Sequence, residues 1–160
     1  MIIDSTRFGP TEIRDEAVLT FRDGLIGLPG TRWALIAQTE SSPFYWLHSM
    51  ESPHLAVPVT NPWQFFGDYE VRVPDDDAGR LGLERTDDAL ILCVVKAAER
   101  LADFTINLAG PLIVHKQTLV ARQIINDAGG YAVRHPLFAE VELNDVLPAQ
   151  PEVAVQAAAI

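Results

Sequence analysis

The chain holds a single cysteine, Cys93, in 160 residues, so an internal disulfide is excluded and a reducing compartment is expected. Cations are scarce too: 12 Lys and Arg stand against 22 Asp and Glu, a formal net charge of −10. They are scattered rather than gathered into the basic stripe that grips nucleic-acid phosphates, which argues against direct nucleic-acid binding. No apolar run approaches the ~20 residues a bilayer-spanning helix needs. The start of the chain lacks the basic-then-apolar pattern of a signal peptide, so a cytoplasmic protein with no membrane partner is expected.

Reactive groups are equally sparse. His48, His54, His115 and His135 show no zinc-ligand spacing with one another or with Cys93. No serine lies in a Gly-x-Ser-x-Gly elbow. Cys93 sits inside the most apolar segment, where a thiol acts as a small hydrophobe rather than a nucleophile. The Gly24–Gly30 piece lacks the spacing and the lysine of a phosphate loop, and Asp75–Asp77 and Asp87–Asp88 lack the alternation of a calcium loop. The expectation is no enzyme, no metal and no cofactor.

What the chain does contain is apolar residues (48%) with moderate charge (21%), the balance of a folded globular domain. Short strand signals recur at close spacing: Ile2–Ser5, Thr11–Arg14, Ala17–Phe21, Trp33–Gln38, Phe44–Met50, Leu55–Thr60 and Glu70–Val73. They continue as Ala89–Ala97, Phe104–Leu108, Leu112–Lys116, Leu119–Asn126 and Tyr131–Arg134. Phe8-Gly9-Pro10, Asp23-Gly24 and Gly129-Gly130 read as turns. The run Leu90–Val95, apolar on both faces, reads as a central strand. Acidic residues in a first turn suit a short helix from Asp75 through Arg80 to Leu83. No long helical pattern separates the strands, which predicts a mainly β fold: a small antiparallel barrel-like single domain with one or two short helices. Residues 1–143 form that domain, and the Ala/Pro-rich stretch 144–160 is expected to be a flexible tail.

Seven of the thirteen Phe, Trp and Tyr residues fall between Ser42 and Val73. Asn61 there can cap a helical turn whose first position suits Pro62. This block, Pro43-Phe44-Tyr45-Trp46-Leu47 followed by Leu55-Ala56, Val59-Thr60, Pro62, Phe65-Phe66 and Asp68-Tyr69-Glu70, resembles the diagnostic tract of the FliW family of flagellar assembly factors. Leu19-Thr20-Phe21 with Gly24-Leu25, Leu81-Gly82-Leu83, Asn107–Val114, Gln123-Ile124-Ile125, Tyr131 and Arg134–Leu137 extend the resemblance across roughly 1–137. The chain departs from the family pattern near Ile26 and Leu28, where a Pro and a Phe are usual, and at Gly110, where an alanine is usual. The stretch after Asn144 matches no family feature.

The resemblance implies a β-barrel-like cytoplasmic protein without catalysis. Such a protein binds flagellin and the basic translational repressor CsrA and antagonises that repressor. No heptad or exposed strand edge can be read in the sequence, so a monomer when free is expected. Asn61, Pro62, Trp63, Phe65, Phe66 and Asp68 are the first candidate contact surface, because aromatics beside a polar cap suit an interface anchor with a rim. The alternative there is that Phe65 and Phe66 turn into the core and only Trp63 stays outside. Asn107 and Pro111, in a kinked tract broken by Gly110, are the second candidate surface, against the plainer reading of a bend. Asp75, Asp76 and Asp77 would add long-range steering. A different class remains open, a small β-barrel ligand-binding protein or enzyme with an interior pocket.

Overall fold

The computed structural model describes residues 1–37 and 39–139; the expected tail, 144–160, lies outside the described residues. The strands are β1 (Ile2–Ser5), β2 (Gly9–Glu12), β3 (Val18–Phe21), β4 (Arg32–Ala37), β5 (Phe44–Ser49) and β6 (Ala56–Thr60). They continue as β7 (Ala89–Lys96), β8 (Thr105–Ile106), β9 (Leu112–His115), β10 (Val120–Gln123) and β11 (His135–Pro136), with one helix, α1 (Asp75–Leu81). Strands β3 to β7 pair antiparallel in sequence order. β9 joins β7, β10 joins β9, and β10 returns to β3 in the single parallel seam, closing a barrel of seven strands. Closure leaves the ring without a free edge. β1 and β2 form a separate hairpin, and β8 and β11 extend the sheet beyond β7.

The barrel interior is filled by side chains. Leu19, Phe21, Trp33, Leu47, Leu92 and Leu112 have no exposed surface, so the space an interior ligand would need is taken by the core itself. β7 is covered on both faces, as its composition predicts. Leu90 and Leu92 point into the barrel, while Cys93 and Val95 join an outer cluster with Phe66, Tyr69, Ile106, Leu108 and Leu137. Burial pushes the Cys93 thiol up to about 12, and the Tyr45 phenol inside the barrel likewise to about 12.

The hairpin β1–β2 is latched by a buried histidine. His48 Nδ1 lies 2.8 Å from the Ser49 carbonyl, which can only accept, so Nδ1 carries the proton. Nε2 then accepts from the Ser5 hydroxyl at 2.8 Å, whose oxygen takes the backbone N–H groups of Arg7 and Phe8. Arg7 in turn lies over the Trp46 ring, 4.4 Å from its centroid.

Several strand boundaries differ from the sequence reading. The turn falls at Thr6–Phe8, and Gly9, at φ +71, opens β2, so the second strand is Gly9–Glu12 rather than Thr11–Arg14. Only Thr105–Ile106, Val120–Gln123 and His135–Pro136 pair as strands within or beside the longer apolar runs. Glu70–Val73 belongs to no strand. Its backbone is paired mostly with side chains instead: Glu70 N–H donates to Tyr131 Oη at 2.9 Å and Arg72 N–H to Asn126 Oδ1 at 3.0 Å, while the Arg72 carbonyl accepts from Asp127 N–H at 3.2 Å. Leu119, at φ 61, occupies the left-handed region at the β9–β10 turn, and its carbonyl receives Thr20 N–H where the parallel seam begins.

Candidate protein-contact surface

Asn61 follows β6 and caps the next turn as its sequence predicts, its Oδ1 accepting from Trp63 N–H at 2.9 Å with Pro62 in the first position. The chain then coils tightly, with Phe65 and Phe66 N–H both bonded to the Pro62 carbonyl and Tyr69 N–H to that of Phe66. Side chains separate by this winding. Phe66 is buried and meets His135 edge-on, 4.9 Å between ring centres. Phe65 is half-buried between Phe44 and Phe138. Trp63 points outward, 40% exposed, and Asp68 is exposed beside it in the chain. Pro62 is buried.

The second stretch is a turn held by side-chain amides. Asn107 Oδ1 accepts from Gly110 N–H at 2.8 Å, and Pro111 is buried beneath it. Gln123 donates through Nε2 to the Gly110 carbonyl at 3.0 Å and accepts through Oε1 from Ile26 N–H at 2.9 Å. A Cβ on Gly110 would lie 3.0 Å from Asn107 Nδ2 and 3.2 Å from Gln123 Nε2. Two of the departures from the family pattern, Ile26 and Gly110, are therefore bonded to one glutamine. Because the atoms a Cβ meets are the ends of flexible side chains, Gly110→Ala costs under about 1 kcal/mol in a urea melt. It also speeds amide exchange at Ile26, since Gln123 must shift to make room.

A buried polar network brings the two stretches together. Tyr69 Oη donates to the Leu108 carbonyl at 2.6 Å. Asn126 Nδ2 donates to the Glu70 carbonyl at 2.8 Å and lies 3.3 Å from Tyr69 Oη, while its Oδ1 accepts from Arg72 and Ala128 N–H. Tyr131 stacks edge-on against Tyr69, 4.8 Å between centres. Burial holds the Tyr69 phenol far above its ordinary value, so it stays a donor. Sequence reasoning passed over Asn126; the only signal for it is an Asn three residues before Gly129-Gly130, the kind of short amide that organises a turn.

The acidic helix start stands apart from this surface. Asp77 accepts from Arg122 Nε at 2.5 Å, Asp23 pairs with the same guanidinium, and Asp76 pairs with Arg80 at 2.9 Å. These bonds to Asp77 and Asp23 raise the Arg122 pKa. Asp75 is exposed and makes no ion pair among the described residues. Among those residues no three His, Cys, Asp or Glu side chains converge as metal ligands would.

The geometry defines a small, side-chain-filled β-barrel carrying a loop surface organised by a buried amide. The FliW protein family model matches residues 2–137, and the chain belongs to that family. It is 36% identical over 140 residues to the flagellar assembly factor FliW of Magnetococcus marinus, covering 86% of this chain and 85% of that protein. To the protein of that name from Geobacter sulfurreducens it is 30% identical over 138 residues, 86% of this chain and 87% of the relative. The match to the Geotalea uraniireducens flagellar assembly factor FliW, 31% identical, takes in 97% of this chain and 98% of that one. That alignment reaches into the stretch after Asn144, where the sequence alone offered no counterpart. The fold is also that of a crystal structure of the flagellar assembly factor FliW, with a TM-score of 0.80 at 24% identity over 89% of this chain and 100% of that one.

Proposed function

We propose that this flagellar assembly factor is a non-enzymatic cytoplasmic protein that binds flagellin and the translational repressor CsrA in turn. Free of flagellin, it takes up CsrA and relieves repression of flagellin synthesis; loaded with flagellin, it releases CsrA. The observation that carries this reading is membership of the FliW family over residues 2–137. A net charge of −10 supports it, because an acidic protein is steered toward a basic partner. The contacts are assigned to Asn61, Trp63, Phe65 and Asp68 together with Asn107, with Pro62, Phe66 and Pro111 holding the two turns from beneath. Asp75, Asp76 and Asp77 contribute to the long-range field only. A calorimetric titration with CsrA from the same cell, with and without saturating flagellin, tests it. The expected result is binding at about micromolar Kd or tighter, weakened by salt and abolished by flagellin. Absence of heat with either partner rejects it.

A further inference from the structure

Among the described residues seven large apolar side chains are exposed, and Trp63 is the one aromatic among them. Its orientation is fixed rather than free. The indole Nε1–H donates to the Tyr69 carbonyl at 2.8 Å, and one side of the ring rests on the Tyr69 ring at 5.6 Å between centres. The only polar atom of the side chain is thus turned inward, and the exposed part of the ring is hydrocarbon. The carbonyl that clamps the indole lies between Asp68 and Glu70, both exposed and neither in an ion pair among the described residues. Glu70 is itself held in place, by Tyr131 through its N–H and by Asn126 through its carbonyl.

An indole face attracts a cation, and a carboxylate beside it adds to the attraction. The molecule shows what a satisfied site looks like, since the Trp46 ring carries the chain's own Arg7 guanidinium. Trp63 has no such cation among the described residues. We propose that Trp63, Asp68 and Glu70 form a receptor for one arginine or lysine side chain of the basic partner, the indole taking the cation on its face and the carboxylates flanking it. This rests on the reading that the chain binds a basic protein, and adds the chemistry by which one anchor of that partner is held.

Calorimetric titration of CsrA into the wild type, W63F, W63L and the double variant D68N/E70Q tests this, with each variant first checked as folded by its amide NMR spectrum. W63L, which keeps bulk but has no π face, is expected to bind about tenfold more weakly, and W63F to stay within about threefold. D68N/E70Q is expected to bind more weakly and with a shallower salt dependence. Wild-type affinity in W63L overturns the receptor while leaving the partner reading intact. Equal weakening of W63F and W63L overturns it as well, because loss of the indole clamp alone would weaken both. No binding by the wild type overturns the partner reading and the receptor with it.

Discussion

Raising the pH from 9 to 11 lowers the folding stability by several kcal/mol, and Cys93→Ala removes the earlier part of that loss. The thiol has an ordinary value of 9.0 and is pushed to about 12 by burial; the Tyr45 phenol moves from 10.0 to about 12 for the same reason. For an acid whose folded value is the higher one, both states are neutral below the unfolded value, and the full stability is present there. Above it the unfolded chain ionises while the folded chain does not, so stability falls as pH rises. Each unit of separation is worth about 1.4 kcal/mol, which sets an upper bound of about 4 kcal/mol for Cys93 once the folded value is reached. Tyr45 and Tyr69, both phenols held high by burial, add their shares only above pH 10. Urea midpoints at pH 8, 9, 10 and 11 measure the effect. A midpoint that stays flat across this range, or a Cys93→Ala protein with the same slope between 9 and 10, rejects the account.

Asn126→Ala lowers stability by about 3 kcal/mol, more than the loss of an ordinary surface amide. Asn126 is 6% exposed, and its one side chain serves the N–H groups of Arg72 and Ala128 and the carbonyl of Glu70. Alanine leaves all three without their partner, and buried groups in a network lose more together than pairwise deletions suggest. Hydrogen exchange localises the damage: amides at Arg72 and Ala128 become fast while Leu90–Val95 in the barrel wall stay protected. A loss below about 1 kcal/mol, inside the range of a single ordinary hydrogen bond, would show that water replaces the amide at little cost. Tyr69→Phe is the milder companion, since it removes the bond to the Leu108 carbonyl and the longer contacts from Asn126 and Cys93 but leaves the Asn126 bonds to the backbone in place.

The barrel wall was legible in the sequence because its signal is local. Leu90–Val95 is apolar on both faces, and the structure covers it on both. Asn61-Pro62 reads as a cap and is one. Glu70–Val73 misleads for a physical reason. Val71 and Val73 alternate with polar neighbours as in a half-buried strand and do pack against apolar neighbours. The backbone hydrogen bonds, however, go to the Tyr131 and Asn126 side chains and to Asp127 N–H far along the chain rather than to a neighbouring strand. Period-2 alternation reports burial of one face, not the partner of the backbone. The division of the aromatic block follows the alternative the sequence offered, with Trp63 outside and Phe66 buried, while the half-burial of Phe65 depends on the winding of the loop after Pro62. Asn126 looked like one polar residue among many, because its importance lies in which backbone groups come to it.

The parallel seam between β3 and β10 has a consequence for how the chain comes off the ribosome. β3 to β7 are neighbours in sequence and can zip together as they emerge, but their sheet then carries two unpaired edges. Both edges stay open until residues 112–123 have been made, because β9 must reach β7 and β10 must reach back to β3. Pairings of such long sequence separation form slowly, and open edges are where chains stick to one another. A product truncated before Leu112 therefore has a wall but no barrel. The barrel closes only once Val120–Gln123 has been made and can pair with β3.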